Sequence, residues 1–189
     1  MAEKKTDRRT LYTRMVVKDA LLELLKEKEF STITVTDICR VAEINRGTLY
    51  LHYKNVSEIL DELFEDAMGN VNGVYAQLAQ EEVQGCSCGY PLCMFLRKSA
   101  KYQPLFFSNE LRAKAIERMV KCNEEDFIIG FRQRTGQSDD VLRALLSFQL
   151  NGCFAVCQQM IDLPDEEWEN IRAVIDRSLK RGYEALDHM

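Results

Sequence analysis

Apolar residues recur every three or four positions along almost the whole chain, and that spacing admits little other than α-helix. Val17, Ala20, Leu21, Leu24 and Leu25 form the inner face of a helix expected from about residue 8 to residue 28. Val56, Ile59, Leu60, Leu63, Phe64, Val71, Val74, Tyr75 and Leu78 keep the same spacing for roughly six turns. They predict one long helix, weakened in its middle by Gly69 and Gly73 at about 1 kcal/mol each relative to Ala. Further helices are expected over about 92–102, 109–133, 139–161 and 165–186, with Pro164 suited to the first turn of the last. The run QGCSCGYP, residues 84–91, is the clearest loop. Nine Gly and three Pro in 189 residues leave no room for a loop-rich β fold or a long linker, so the expectation is an all-α chain.

Charge divides the chain in two. The overall net charge is −5, yet residues 1–55 carry 11 Lys/Arg against 8 Asp/Glu, while the remaining residues carry 14 against 22. A basic front on an acidic body suggests two tasks, the first with a polyanion. The expected division is residues 1–55 and 56–189. No apolar run approaches the ~20 residues of a membrane span, and the first ten residues are polar, so a cytoplasmic protein with no membrane partner is expected.

The local signals in the basic part are specific. Thr34 followed by Asp37 reads as a capping box for a short helix with Ile38, Val41 and Ala42 on its inner face. Glu43-Ile44 forms a turn, and Asn45 caps a third helix running to about Tyr53. Two short helices joined by a three-residue turn form a helix-turn-helix, in which small Ala42 permits close approach and Ile38, Ile44 and Leu49 lock the angle. The polar face of the third helix then projects Arg46, Gly47, Thr48, Tyr50, Leu51 and His52. Arg suits a guanine edge, Gly47 permits close approach, and Tyr50, His52, Lys54, Thr34 and Thr36 suit phosphates. Double-stranded DNA is the partner these residue types fit.

Residues 33–55, ITVTDICRVAEINRGTLYLHYKN, resemble the DNA-binding motif of the TetR family of bacterial transcriptional regulators. Thr34-Val35, Asp37-Ile38, Arg46-Gly47-Thr48-Leu49-Tyr50 and His52-Tyr53 match the family pattern by position, and the resemblance extends over about residues 10–65. Glu29 and Glu43 stand where the family commonly has Gly, and Val56 where it often has Lys, with Lys54 the nearest basic residue. At φ > 0 a non-Gly residue at 43 costs about 1–2 kcal/mol.

The resemblance implies an N-terminal helix-turn-helix domain, with its motif at 34–53, joined by a long helix to a helical ligand-binding and dimerisation domain. It implies a homodimer, two recognition helices in successive major grooves of a palindromic operator, and release by a small-molecule effector, hence repression. The alternative is a regulator of the same family that acts through protein contacts and binds DNA weakly or without sequence preference. No P-loop, GxSxG or HExxH motif supports an enzyme, and no catalytic residue, metal or cofactor is expected.

In the acidic body, Trp168, Ile171, Ile175, Leu179 and Tyr183 form a stripe on the last helix, and Leu150 and Phe154 lie on the one before; these are the expected dimer residues. Met94, Phe95, Tyr102, Phe106, Phe107, Phe127 and Phe131 are candidates for lining an effector pocket, against the plainer reading that they are core. Seven cysteines are most simply free thiols. Cys86, Cys88 and Cys93 also admit redox sensing or zinc, although C-x-C-x4-C lacks a nearby fourth ligand; Cys153 and Cys157, four apart on one helix, suit packing equally well.

Overall fold

The computed structural model describes residues 8–80 and 92–186, with side chains described for all of these except 71–80 and 92. Among the described residues the chain forms nine α-helices and no strand. The described residues group into two compact units, one of 8–67 and 101–112, the other of 68–80, 92–100 and 113–186. The division expected at residue 55 therefore falls inside the first unit.

In the first unit α1 (Arg8–Leu24) buries Thr13, Val17, Ala20, Leu21 and Leu24 on one side. Its end is closed by turns that reach Lys28, whose N–H donates to Leu24 O at 2.9 Å. A 3₁₀ turn at Phe30–Thr32 leads to α2 (Val35–Val41) and α3 (Arg46–Tyr50). The helix α4 (Val56–Gln80) follows, and Ile59, Leu60, Leu63 and Phe64 on its first turns are fully buried. The Val71, Val74, Tyr75 and Leu78 side chains lie outside the described set. A short segment from later in the chain completes this unit: a 3₁₀ turn at Ala100–Tyr102 and α6 (Gln103–Phe107), with Leu105, Phe106 and Leu111 buried. Phe106 meets Phe64 edge to face at 6.1 Å. Truncating a buried Phe of this kind to Ala costs about 3–5 kcal/mol.

The helix expected over 92–102 is thus interrupted. The α5 helix (Leu92–Lys98) ends with Ser99 N–H on Phe95 O, and Pro104 starts α6 in its first turn.

The second unit is built from the later half of α4, α5, α7 (Arg112–Thr135), α8 (Asp139–Met160) and α9 (Asp165–Leu186). Gly136 at φ 66 closes α7, its N–H on Arg132 O. Leu142, Leu146, Leu150 and Phe154 are fully buried along α8. Among the described residues α8 is the one helix whose length and hydropathy would admit a membrane span, but these buried side chains are those of a core helix. Arg97 ties α5 to the turn before α9, donating to Ile161 O at 2.9 Å and Leu163 O at 2.6 Å and stacking over Trp168. Pro164 caps α9 from just outside, its carbonyl accepting the Trp168 N–H, rather than occupying the first turn.

Candidate nucleic-acid interface

The turn between α2 and α3 is made by short-range chemistry. Thr34 Oγ1 accepts the Asp37 N–H at 3.2 Å and donates to Asp37 Oδ2 at 2.8 Å, while the Thr34 N–H reaches the same carboxylate at 3.0 Å. The capping box is therefore complete. The Thr34 hydroxyl foremost, then the Thr34 N–H and the Lys28 ammonium at 3.1 Å, pull the Asp37 carboxyl down to about 2. The acid that starts α2 is thus balanced by a base from the end of α1.

After α2 the chain reverses at Glu43, which sits at φ 53, the left-handed region in which glycine is at home. Ile44 N–H returns to Cys39 O at 3.0 Å. Asn45 then caps α3, its Oδ1 accepting the Thr48 N–H at 2.7 Å and the Thr48 hydroxyl at 3.1 Å. A Cβ at position 47 would stand 3.2 Å from that Asn45 oxygen. Gly47 therefore has a reason inside the protein itself, to leave the cap undisturbed. Ile38 and Leu49 are fully buried beneath the turn, Ile44 and Ala42 half-buried. Val41, expected on the inner face, is instead exposed, and Cys39 takes the buried place.

What α3 leaves outward is polar with one apolar tip. Arg46, Gly47, Tyr50 and Leu51 are exposed, Leu51 to 81%. Thr48 and His52 are half-buried, and the Thr48 hydroxyl is used by the cap. Arg46 donates to the Thr36 hydroxyl, so two candidates from different helices are joined on one surface. Lys54 is exposed, its Nζ 3.7 Å from Glu58, which also accepts the Lys54 backbone N–H at 2.7 Å. Thr34 is exposed, but its hydroxyl serves the capping box.

One basic residue of the motif lies outside the expected set. Arg40 projects from α2 with its side chain 69% exposed, a basic group on the same motif. Tyr53, at the end of the motif, is buried, with the Arg14 guanidinium 5.4 Å above its ring. Arg14 and Lys18 of α1 both bond Glu62 of α4, and Lys18 also bonds Asp66, so the first and fourth helices are cross-linked beneath the motif. Burial works against the Glu62 charge, but the hydrogen bonds from Arg14 and Lys18 outweigh it and hold the carboxyl below its ordinary range. The contacts of Arg14 with Tyr53 and of Arg14 and Lys18 with Glu62 were not visible in the pattern, because each joins residues about 40 or more positions apart.

The candidates for the acidic body are distributed differently from expectation. Tyr102, Phe106 and Phe107 belong to the first unit, Met94, Phe95, Phe127 and Phe131 to the second, so the seven do not fall within one compact unit. Phe127 and Phe131 stack at 4.5 Å, and Tyr183 lies 4.6 Å from Phe131 while bonding the buried Gln149. Among the expected dimer residues, Leu150, Phe154, Trp168 and Tyr183 are buried within their own chain, and Ile171, Ile175 and Leu179 are half-buried. The large apolar side chains exposed on α8 and α9 are Val141, Phe148 and Val174, Phe148 to 74%. Cys86 and Cys88 lie outside the described residues. Cys39 and Cys157 are buried, Cys93 and Cys153 half-buried, and Cys122 exposed, all as free thiols.

The family model described as bacterial regulatory proteins, tetR family, matches residues 17–63. YxbF of Bacillus subtilis (strain 168), an uncharacterized HTH-type transcriptional regulator, is 37% identical over 70 residues, 36% of this chain and 18% of that protein. The HTH-type transcriptional regulator AcrR of Shigella flexneri is 28% identical over 68 residues, 36% of this chain and 32% of that one. The fatty acid metabolism regulator protein of Bacillus subtilis (strain 168) is 36% identical over 55 residues, 29% and 28% of the two chains. The matched stretch thus spans less than a third of each of these relatives. A solved structure, the TetR family repressor AlkX from Dietzia sp. strain DQ12-45-1b, aligns over 89% of this chain and 95% of its own at 18% identity and a TM-score of 0.47.

Proposed function

We propose that the chain is a TetR-family transcriptional regulator, that it represses transcription by occupying a palindromic operator as a homodimer, and that a small-molecule effector releases it; the match of the family model to residues 17–63 supports the first part. The observation that carries this reading is α3 itself: a rigidly capped helix with Arg46, Tyr50 and Leu51 exposed and Leu49 anchored beneath. Arg46 is the base-reading residue, donating two bonds to a guanine edge, and Leu51 offers an apolar tip to a thymine methyl. Lys54, Tyr50 and His52 position the motif on phosphates, with Arg40 added to them.

Residues 1–55 form the DNA-binding part in this reading, and 56–189 the effector and dimer part. Two-fold pairing places the second recognition helix about one turn of DNA, roughly 34 Å, from the first. Phe148, Val141 and Val174 are the apolar side chains available for pairing. An effector releases DNA only by preferring the conformation in which the two helices are wrongly spaced, a coupling typically of ~1–3 kcal/mol. The setting is cytoplasmic.

The test is enrichment of a randomised duplex pool by the purified protein at moderate salt. An inverted repeat among the retained sequences supports the reading. Retention without a motif, vanishing as salt rises, overturns it in favour of a family member that works through a protein partner. The Lys54–Glu58 contact, which partly neutralises a phosphate-binding cation, is the feature that favours that second reading.

A further inference from the structure

The 3₁₀ turn that leads into α2 is not capped from within. Its own bonds run from the Thr32 N–H to Glu29 O and from the Ile33 N–H to Phe30 O, both at 3.0 Å, and leave the Ser31 N–H outside them. Glu29, at the cap position, makes no side-chain bond to the turn. The cap comes instead from Glu110, 79 positions further on, whose carboxylate oxygens accept the Ser31 N–H at 3.0 and 3.1 Å. Both residues are exposed, so water could have satisfied that amide; what the carboxylate adds is position.

Glu110 is itself held in place. Its neighbour Leu111 is buried, Phe106 packs on Phe64, and Lys101 lies 2.6 Å from Asp19, all within the first unit. The Arg112 N–H on Ser108 O, at 3.0 Å, closes the turn that carries Glu110. From Ser31 the line to the recognition surface is short. Ile33 is buried, Thr34 caps α2, and Thr36 in the first turn of α2 accepts the Arg46 guanidinium. That first turn is thus held from α1 by the Lys28–Asp37 pair, and from residues 101–112 by Glu110.

We propose that Glu110 is a positioning residue for DNA recognition: by capping the Ser31 amide it fixes the first turn of α2, and with it the place of the Arg46 guanidinium. Glu110 lies outside residues 17–63, which the family model matches, and an acid is not a residue type expected to favour DNA. The inference rests on the operator-binding reading of Arg46. Its sign sets it apart from a surface-charge effect. An acid on a DNA-binding unit repels phosphates, so removing a mere surface charge would strengthen binding to every duplex alike. Removing a positioning residue weakens binding to the preferred sequence relative to the rest.

The full-length natural protein, Glu110→Ala and Glu110→Gln are compared on the duplex recovered by enrichment and on a scrambled duplex, at several salt concentrations. Glu110→Ala should lower the ratio of specific to non-specific affinity about fivefold, the equivalent of one hydrogen bond, without reducing the salt slope, because no phosphate contact is lost. Glu110→Gln, which keeps an acceptor, should retain most of the ratio. Without DNA, amides 31–38 should exchange hydrogen at least about threefold faster in Glu110→Ala, while those of α8 in the second unit stay unchanged. Equal strengthening on both duplexes, or unchanged exchange at 31–38, would overturn the proposal. A sequence preference that survives intact in Glu110→Ala overturns the proposal alone; its absence in the natural protein overturns the operator-binding reading and the proposal together.

Discussion

The carboxylate of Glu110 accepts the backbone N–H of Ser31, with its two oxygens at 3.0 and 3.1 Å, across 79 residues of chain. Ser31 lies in the 3₁₀ turn that precedes α2, so a residue from beyond the long helix fixes the entry to the helix-turn-helix. Lys101 makes a second such tie, 2.6 Å from Asp19 of α1. Glu110→Ala should lower stability by about 0.5–1 kcal/mol, as expected for an exposed charge-assisted bond, with Glu110→Gln recovering part of it. Urea denaturation of the three proteins checks this; equal midpoints would show the bond to be energetically silent.

Glu43 holds a left-handed conformation without being glycine. The strain of about 1–2 kcal/mol exceeds the extra unfolded-state freedom that glycine brings, about 0.5–1 kcal/mol. Glu43→Gly should therefore raise stability by roughly 1 kcal/mol, a few degrees in melting temperature. Glu43→Ala, which keeps the Cβ, should not.

Asp37 links stability to acid. Its carboxyl lies near 2 in the folded chain, below the ordinary 3.8, so the unfolded chain binds the proton more readily. The stabilisation is fully present above about pH 4 and is lost as pH falls through 2. Denaturant midpoints measured from pH 5 downwards should converge between the natural protein and Asp37→Asn as the acid is protonated. A constant gap across that range would contradict the capping-box account.

Arg46 and Lys54 should separate base reading from phosphate contact. Arg46→Ala should relax preference at one base position by about 1–3 kcal/mol, and Lys54→Ala should weaken all sequences alike and reduce the salt slope by about one. Thr36→Val tests whether the Arg46–Thr36 bond pre-orients the guanidinium: specific binding should weaken while the salt slope stays. Fluorescence anisotropy on the enriched duplex at several salt concentrations reads all three.

Phe148 is 74% exposed on a helix whose opposite side is fully buried. Phe148→Asp should leave folding unchanged and weaken self-association at least about tenfold, some 1.4 kcal/mol. Sedimentation velocity across a concentration series measures it, and an unchanged dimer would move the pairing surface elsewhere.

The helical periodicity, the Thr34–Asp37 box, the Asn45 cap and the bounds of α8 and α9 were all legible in the chain, because each is governed by residues within about four positions of one another. The outward side of α3 was legible for the same reason: a capped helix with Leu49 inward has only one outward side. The positive φ of Glu43 was foreshadowed as a condition and decided by the turn.

Tertiary structure decided whatever depends on distant partners. The sequence could show that α8 is apolar nearly all round, but not that Leu150 and Phe154 would be covered while Phe148 stays open; burial depends on which helices arrive, not on the helix itself. Periodicity also assigned residues 101–112 to the acidic body, whereas Phe106 and Leu111 are buried within the unit that bears α3. Local hydrogen bonding is written in short-range order, whereas the pairing of apolar faces is non-directional and is settled only when the whole chain has packed.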